Sequence, residues 1–487
     1  MMITSHKASA RQKLSSLLSR GCINYKRFNS TYVPPISSFS YIHDDALSDI
    51  SKEEIAKHMQ NLGPFPNYSN ILNPQHFYQN TVLLDYSKKH PHPVSLRQLA
   101  GYGNTLTKQK IIASANFVRL ELPIRLAMRI RDLQILPFGV VNNFHMAQIY
   151  ESYYHSFNAF RKIGKINTIE DNEKFCAVLS ALLDDHTFNL SHLMMGALEV
   201  SIAESLPQER LDSFMSTMLR SRISRRLIVE EHLSLSENYR KKPYDKKPPH
   251  YLGEIFQNCK AIDHFNEVAE KVKESLCHQY PQAELIPKLE IDGDLDCEFQ
   301  FMVPHFHYML HEILRNSFEA TLNTTKDNDA LSPVKVTIID SRQEVIFRIS
   351  DQGGGLHHDK LKSIWSFGKS PELARKSLAN FHRIPGLQMY SNLQVTASGS
   401  SVVNPRATDT DGNSVERKSE KKRSTLEDLM ARPHEYKLGM GLPMCSVYAD
   451  YWNGQLQMNS LEGYGCDTSL TLSKLGYHSN VIQLDRA

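Results

Sequence analysis

The chain has 487 residues, with 56 Lys and Arg against 53 Asp and Glu, a formal net charge of +3, and 41% hydrophobic and 22% charged residues. That length accommodates two or three separate cores, and so small a charge gives no electrostatic reason to expect a nucleic-acid partner. No apolar run approaches the ~20 residues needed to cross a bilayer, so no membrane span is expected.

The first acidic residue is Asp44, whereas Lys7, Arg11, Lys13, Arg20, Lys26 and Arg27 precede it among many serines, with Leu14, Leu17, Leu18 and Ile23 between them. A basic, hydroxylated, acid-free and amphipathic start has the composition of a mitochondrial presequence. It is expected to span residues 1–30, with cleavage near Arg27-Phe28-Asn29-Ser30. The seven cysteines are scattered and none forms a CxxC pair, which suits a reducing compartment better than a disulfide framework or a zinc site.

Residues 51–239 read as mostly helical: 107–136, 191–206 and 213–235 carry apolar residues at spacings of three and four, the period of an amphipathic helix. Several long helices with short breaks imply a bundle. The Lys- and Pro-rich stretch 239–249 marks a boundary. After it, a helix over 265–279 leads to strand-like runs at 285–291, 298–303, 334–340 and 344–350, the last two forming a hairpin, and later at 455–459 and 469–472. This half reads as α/β. Residues 398–423 are polar, with alternating charges in ERKSEKKR, and are expected to form a disordered insertion.

Four features carry chemistry. In HYMLHEILRNSFEAT, Glu312 and Asn316 stand four apart, off the apolar stripe of Phe306, Met309, Leu310, Ile313 and Leu314. A carboxamide there can ligate Mg²⁺ and a carboxylate can orient a nucleophile, although this pair alone is ordinarily a solvated helix face. Next, Ile349-Ser350-Asp351-Gln352-Gly353-Gly354-Gly355 follows an apolar strand. Its aspartate can accept from an adenine amine, and its glycines let a ring approach the backbone. The third, Lys437-Leu438-Gly439-Met440-Gly441-Leu442-Pro443, opens a helix running to Trp452, an arrangement suited to phosphate. The last, Glu462-Gly463-Tyr464-Gly465-Cys466-Asp467, lies between the two final strands.

In this order and spacing the four resemble the N box and the three glycine boxes of the GHKL (Bergerat) nucleotide-binding fold of histidine kinases, heat-shock chaperones, mismatch-repair ATPases and type II topoisomerases. Within that superfamily, LELPIRLAMRI at 120–130, LLDDH at 182–186, SRISRRLIVEEHL at 221–233, VVNNFH at 140–145, WSFGKS at 365–370 and NFHRIPGLQ at 380–388 look like the mitochondrial pyruvate and branched-chain 2-oxoacid dehydrogenase kinases, the fungal pyruvate dehydrogenase kinases most of all. The resemblance runs from about residue 93 to 474.

It implies a two-domain α+β protein: a four-helix-bundle-like domain over 50–245, then a GHKL α/β sandwich over 250–477 with a lid insertion at 368–436. The implied activity is ATP-dependent protein-serine phosphorylation that inactivates the E1 alpha subunit of the pyruvate dehydrogenase complex in the mitochondrial matrix. Glu312 would be the general base and Asn316 the Mg²⁺ ligand. Asp351 would read adenine above Gly353 and Gly355. Gly439, Met440, Gly441 and Leu442 would wrap the phosphates, and Ser370 would face the nucleotide from the lid. The implied cofactors are ATP and Mg²⁺, with K⁺ as a further ion. The implied partners are the lipoyl domain of the acyltransferase, a sister kinase and a second copy of the chain.

Three residues depart from the family pattern: Tyr308 stands where many pyruvate dehydrogenase kinases have His, Lys437 replaces the first glycine of GxGxG, and Cys466 replaces a threonine. Four rival readings remain. One is a branched-chain dehydrogenase kinase; another is a weak catalyst that scaffolds the complex. A third is a histidine kinase whose acceptor would be His186 or His232, each preceded by two acids, and the last is a chaperone-type hydrolase. His307 and His311 are expected to point away from Glu312.

Overall fold

A computed structural model describes residues 81–141, 143–247, 251–277, 286–324, 331–384, 424–479, 482 and 484. Every described residue belongs to one compact unit. The expected presequence and the polar insertion at 398–423 lie outside the described residues.

The helical half begins with α1 (Thr81–Ser87), α2 (Leu96–Ala100) and the long α3 (Lys108–Ile135). Thr107 caps α3, its hydroxyl accepting the Lys110 N–H at 3.3 Å, which satisfies one of the unpaired donors at a helix start. Then come α4 (Phe138–Val141), α5 (Phe144–Arg161), α6 (Ile169–Asp185), α7 (Asn189–Ile202) and α8 (Gln208–Lys241). Helices α3, α5, α7 and α8 pack pairwise. Their core residues recur every three or four positions, as Ile111, Ala115, Val118, Leu122, Leu126 and Ile130 do on α3, so one stripe of each helix is removed from water.

The second half opens with β1 (Gln257–Lys260) and α9 (Ala261–Cys277), followed by β2 (Leu289–Gly293), β3 (Glu298–Phe301) and α10 (Val303–Thr324). After the hairpin β4 (Val334–Asp340) and β5 (Glu344–Ser350) come the short α11 (His358–Ser363), α12 (Pro371–Arg383) and α13 (Thr425–Met430). The chain continues through α14 (Gly441–Tyr451), β6 (Gln455–Leu461), β7 (Gly465–Ser473) and α15 (Leu475–His478). The main sheet has the order β2-β4-β5-β7-β6, with β2 parallel to β4 and every other pair antiparallel.

Alternation along the strands sends Val334, Val336 and Ile338 of β4 and Val345, Phe347 and Ile349 of β5 to one face, while Lys335 and Arg348 stay in solvent. That pattern is expected of an antiparallel sheet covered on one side. On the covered face Phe347 lies 5.2 Å from Phe265 of α9, 5.5 Å from Phe306 of α10 and 5.9 Å from Phe299. Each such ring contributes about 1.5–3 kcal/mol by leaving water.

One strand goes beyond those expected: β1 pairs with β3, Gln257 opposite Phe301, and its QNCK has no apolar alternation by which to read it. The final hairpin is longer than expected, with Leu461 opposite Gly465, because backbone pairing carries the polar residues Ser460, Asp467 and Thr468 into the strands.

The two halves meet at the segment before α12. Asp212 of α8 accepts the Phe367 and Gly368 N–H groups at 2.7 and 3.1 Å, and Gln208 donates to Ser366 Oγ at 2.7 Å. Arg220 of α8 pairs with Asp450 of α14.

Glu231 of α8 is 1% exposed, and burial together with Glu254 pushes its carboxyl up from 4.5 to about 8. The folded chain therefore holds a proton that the unfolded chain releases near pH 4.5. This stabilisation is complete below that pH and is lost as pH rises through about 8. Glu231→Gln is expected to flatten the decline in melting temperature between pH 6 and 9; an unchanged slope in calorimetric melts would contradict this origin.

Candidate functional site

Helix α10 forms the floor of the site. Its apolar stripe seats it on the sheet, which leaves Glu312 and Asn316 on another face, Glu312 2% exposed and Asn316 half-buried. A carboxylate that deep needs a partner, and it has one. Arg432 donates from Nη1 to Oε1 at 2.7 Å and from Nη2 to Oε2 at 2.9 Å, a bidentate pair. Burial alone would raise the Glu312 carboxyl, but the Arg432 guanidinium outweighs it and holds the group far below the usual carboxylate range. His311 does approach the glutamate, Nδ1 lying 3.9 Å from Oε1, contrary to the expectation that it points away. His307 does turn away, toward His264 of α9.

The same helix clamps the chain that leads into the glycine loop at 437–443. Arg315 donates to the carbonyls of Arg432, Pro433 and His434 at 3.3, 3.0 and 2.7 Å. Glu319 meets His434 at 2.9 Å, Lys437 at 3.1 Å and Arg315 at 3.1 Å. The hydrogen bond with His434 and the charges of Lys437 and Arg315 overcome burial and hold its carboxyl at about 2. Lys437, standing where the family has glycine, therefore ties the loop to α10. Sequence reasoning missed Arg432; its signal was one arginine ahead of the glycine loop, with nothing to indicate its partner 120 residues earlier.

Gly439 has φ +67°, a conformation that favours glycine. Gly441 opens α14 beside the carboxylate, where a Cβ would overlap Glu312 Oε2. No side chain caps α14 at Met440, so the first N–H groups of this 11-residue helix remain for an anion. Met440 is fully buried and offers only its backbone, whereas Leu442 is half-buried in the first turn. A Cβ at Gly439 would stand 3.3 Å from Lys369 Cε. Burial lowers this lysine to about 8 against the pull of Asp212, leaving a cation at the loop that sequence reasoning also missed. Ser370 is exposed and precedes α12 without a side-chain cap bond.

The other end of the site lies further along α10. Asp351, 6% exposed at the end of β5, accepts the Gly353 and Cys466 N–H groups on Oδ1 at 3.0 and 3.2 Å. Burial raises its carboxyl against those bonds. A Cβ at Gly353 would overlap Ala320 of α10, and one at Gly355, φ +69°, would overlap the Leu461 carbonyl. At about 1.5 Å per residue, the run from Glu312 to Ala320 spans roughly 12 Å, comparable with an extended nucleoside triphosphate. The residues present thus fit ATP: a buried acid with glycines at one end, and an uncapped helix start, a lysine and a carboxylate at the other. Asn316, between the two ends, offers a side-chain amide oxygen, a donor of the kind Mg²⁺ takes.

The remaining departures are accommodated. Cys466 serves Asp351 through its backbone N–H, while its thiol donates to Ser460 Oγ at 3.5 Å. Tyr308 is buried, its hydroxyl donating to Met444 Sδ at 3.5 Å. The rival acceptor histidines are both engaged within the helical half: His186 with Ser156 at 2.7 Å, and His232 with Ser114 at 2.9 Å. A concavity there is lined by seven apolar residues together with Tyr153, His186, Asn189, Arg222, Arg225 and Arg226.

Known proteins resemble this chain in sequence. The family model described as mitochondrial branched-chain alpha-ketoacid dehydrogenase kinase matches residues 93–256. The chain is 41% identical over 495 aligned positions to pyruvate dehydrogenase (acetyl-transferring) kinase 2, mitochondrial, of Saccharomyces cerevisiae, covering 96% of this chain and 98% of that one. It is 26% identical to the pyruvate dehydrogenase (acetyl-transferring) kinase of Arabidopsis thaliana over 79% of this chain and 90% of the relative. Against that of Drosophila melanogaster it is 25% identical over 81% and 84%. With near-complete coverage at that first identity, the chain belongs to the mitochondrial pyruvate dehydrogenase kinase family.

Proposed function

We propose that this protein is a mitochondrial protein-serine kinase that phosphorylates and inactivates the E1 alpha subunit of the pyruvate dehydrogenase complex, working in the matrix. The observation that carries the reading is Glu312 beside Gly441, with Asp351 and its glycines at the far end of the same helix. The sheet half is read as a GHKL nucleotide-binding domain over 250–477 with its lid at 368–436, and the helical half as a bundle domain over 50–245. ATP and Mg²⁺ supply the phosphoryl group and neutralise its charge.

The residues do the positioning. Asp351 reads the adenine amine, and Gly353 and Gly355 admit the ring. The N–H groups at Gly439 to Leu442 hold phosphate oxygens, with Lys369 and Ser370 at the lid edge, and Asn316 holds the metal. Glu312 orients the serine hydroxyl. A carboxylate kept so acidic by Arg432 is a weak base, but a loose phosphoryl transition state demands orientation more than proton abstraction. The docking partner is read as the lipoyl domain of the acyltransferase, and the active form as a homodimer.

A branched-chain 2-oxoacid dehydrogenase substrate is the second reading, favoured by the description of the matching family model and by Tyr308. Presenting Mg-ATP and both purified E1 alpha subunits separates the two. Acid-stable serine label on the pyruvate enzyme is expected. Label confined to the branched-chain enzyme would select the second reading, and no label on either from protein that binds ATP would select a scaffold.

A further inference from the structure

Outside the nucleotide site, one cluster has ligands that no step above uses. His264 and Glu267 lie three apart on α9 and therefore share a face. His307 reaches them from α10. His264 Nδ1 is 2.7 Å from His307 Nε2, and His307 Nε2 is 3.8 Å from Glu267 Oε2. All three ligand atoms lie within 4.8 Å of one another.

We propose that His264, Glu267 and His307 form a transition-metal site of the Zn²⁺ class that ties α9 to α10. Bonds of about 2.0–2.1 Å at tetrahedral angles place neighbouring ligand atoms about 3.3 Å apart. The two distances here, 2.7 and 3.8 Å, straddle that value, so small side-chain rotations bring three ligands onto one ion. The facing ring nitrogens share one hydrogen in the bare protein. A metal takes its place when the donating ring moves its N–H to the other nitrogen, and neither imidazole needs to change charge.

The ligand chemistry selects the ion. Two imidazoles and a carboxylate suit zinc, copper, nickel or cobalt, whereas Mg²⁺ prefers oxygen ligands and keeps its waters. This site is therefore distinct in kind from the one at Asn316. Glu267 is half exposed, its side chain at 50%, so the fourth position opens to water, as in three-ligand zinc sites. Its other oxygen, Oε1, is held by Lys271 at 2.6 Å, which steadies the carboxylate while leaving Oε2 toward the rings. His307 lies five residues before Glu312 on the same helix, so an ion here would brace the element that carries the candidate catalytic residue.

The test uses the full chain after chelator treatment, titrated with ZnCl₂ by calorimetry and with CoCl₂ by visible absorption. One equivalent of zinc, tetrahedral Co²⁺ bands and a melting temperature raised by a few degrees at saturation are expected. His264→Ala and His307→Ala should each weaken zinc binding on the order of a hundredfold, erase the melting shift and leave ATP binding unchanged. Glu267→Ala, at an exposed position, repeats the test in a variant whose folding is not at stake. One tight equivalent that survives all three substitutions overturns the assignment. So does zinc binding no tighter than millimolar in the unaltered protein.

Discussion

Arg432→Met is expected to cost about 3–5 kcal/mol of folding stability, the scale for breaking a buried ion pair from one side. The substitution leaves the Glu312 carboxylate 2% exposed without the two N–H groups that hold it at 2.7 and 2.9 Å. The double variant Arg432→Met with Glu312→Gln should recover most of that loss, because a neutral amide costs far less to bury than a charge. Urea titrations of the four proteins measure the coupling directly, and additive losses in the double variant would mean that the pair is not an energetic unit.

The pair also has a pH signature. Its depressed carboxyl contributes stability that is present above the unfolded value of 4.5 and is lost as pH falls toward the low folded value. Arg432→Met should therefore flatten the acid limb of the stability profile.

Asp351→Asn is expected to weaken ATP binding roughly ten- to hundredfold, the scale for losing a hydrogen bond to a charged group. The asparagine keeps an oxygen for the Gly353 and Cys466 N–H groups that Oδ1 accepts at 3.0 and 3.2 Å, so the local turn survives. Its NH₂ then faces the adenine amine donor against donor. Guanine presents an acceptor at that position, so the ratio of GTP to ATP affinity should rise. Titration with both nucleotides checks this; equal weakening of the two would show that Asp351 shapes the pocket without reading the base.

Much of the layout is legible in the sequence because its signals are local. The apolar period places α3 within a residue or two of its observed ends, and the glycines at 353, 355, 439 and 441 mark the positions where the backbone comes close to something. Glu312 and Asn316 are readable as a pair because helix geometry alone puts them on one face. The tertiary partners are not readable. Nothing local connects Arg432 to Glu312, Lys437 to Glu319 or Asp212 to the Phe367 N–H, because those contacts depend on how α10, α8 and the lid edge pack. β1 escapes notice for the same reason: its four residues become a strand only because β3 lies beside them.

The central claim is that Glu312 orients a substrate serine at the end of an ATP site. The most direct measurement is transfer of labelled γ-phosphate from Mg-ATP to the pyruvate dehydrogenase E1 alpha subunit by three proteins. These are the unaltered chain, Glu312→Gln, and Glu312→Gln with Arg432→Met, whose neutral pair removes the stranded buried charge from the comparison. Acid-stable label from the unaltered chain, falling on the order of a hundredfold in both variants while ATP binding persists, is the predicted result. Undiminished label from either folded variant would contradict the role given to Glu312.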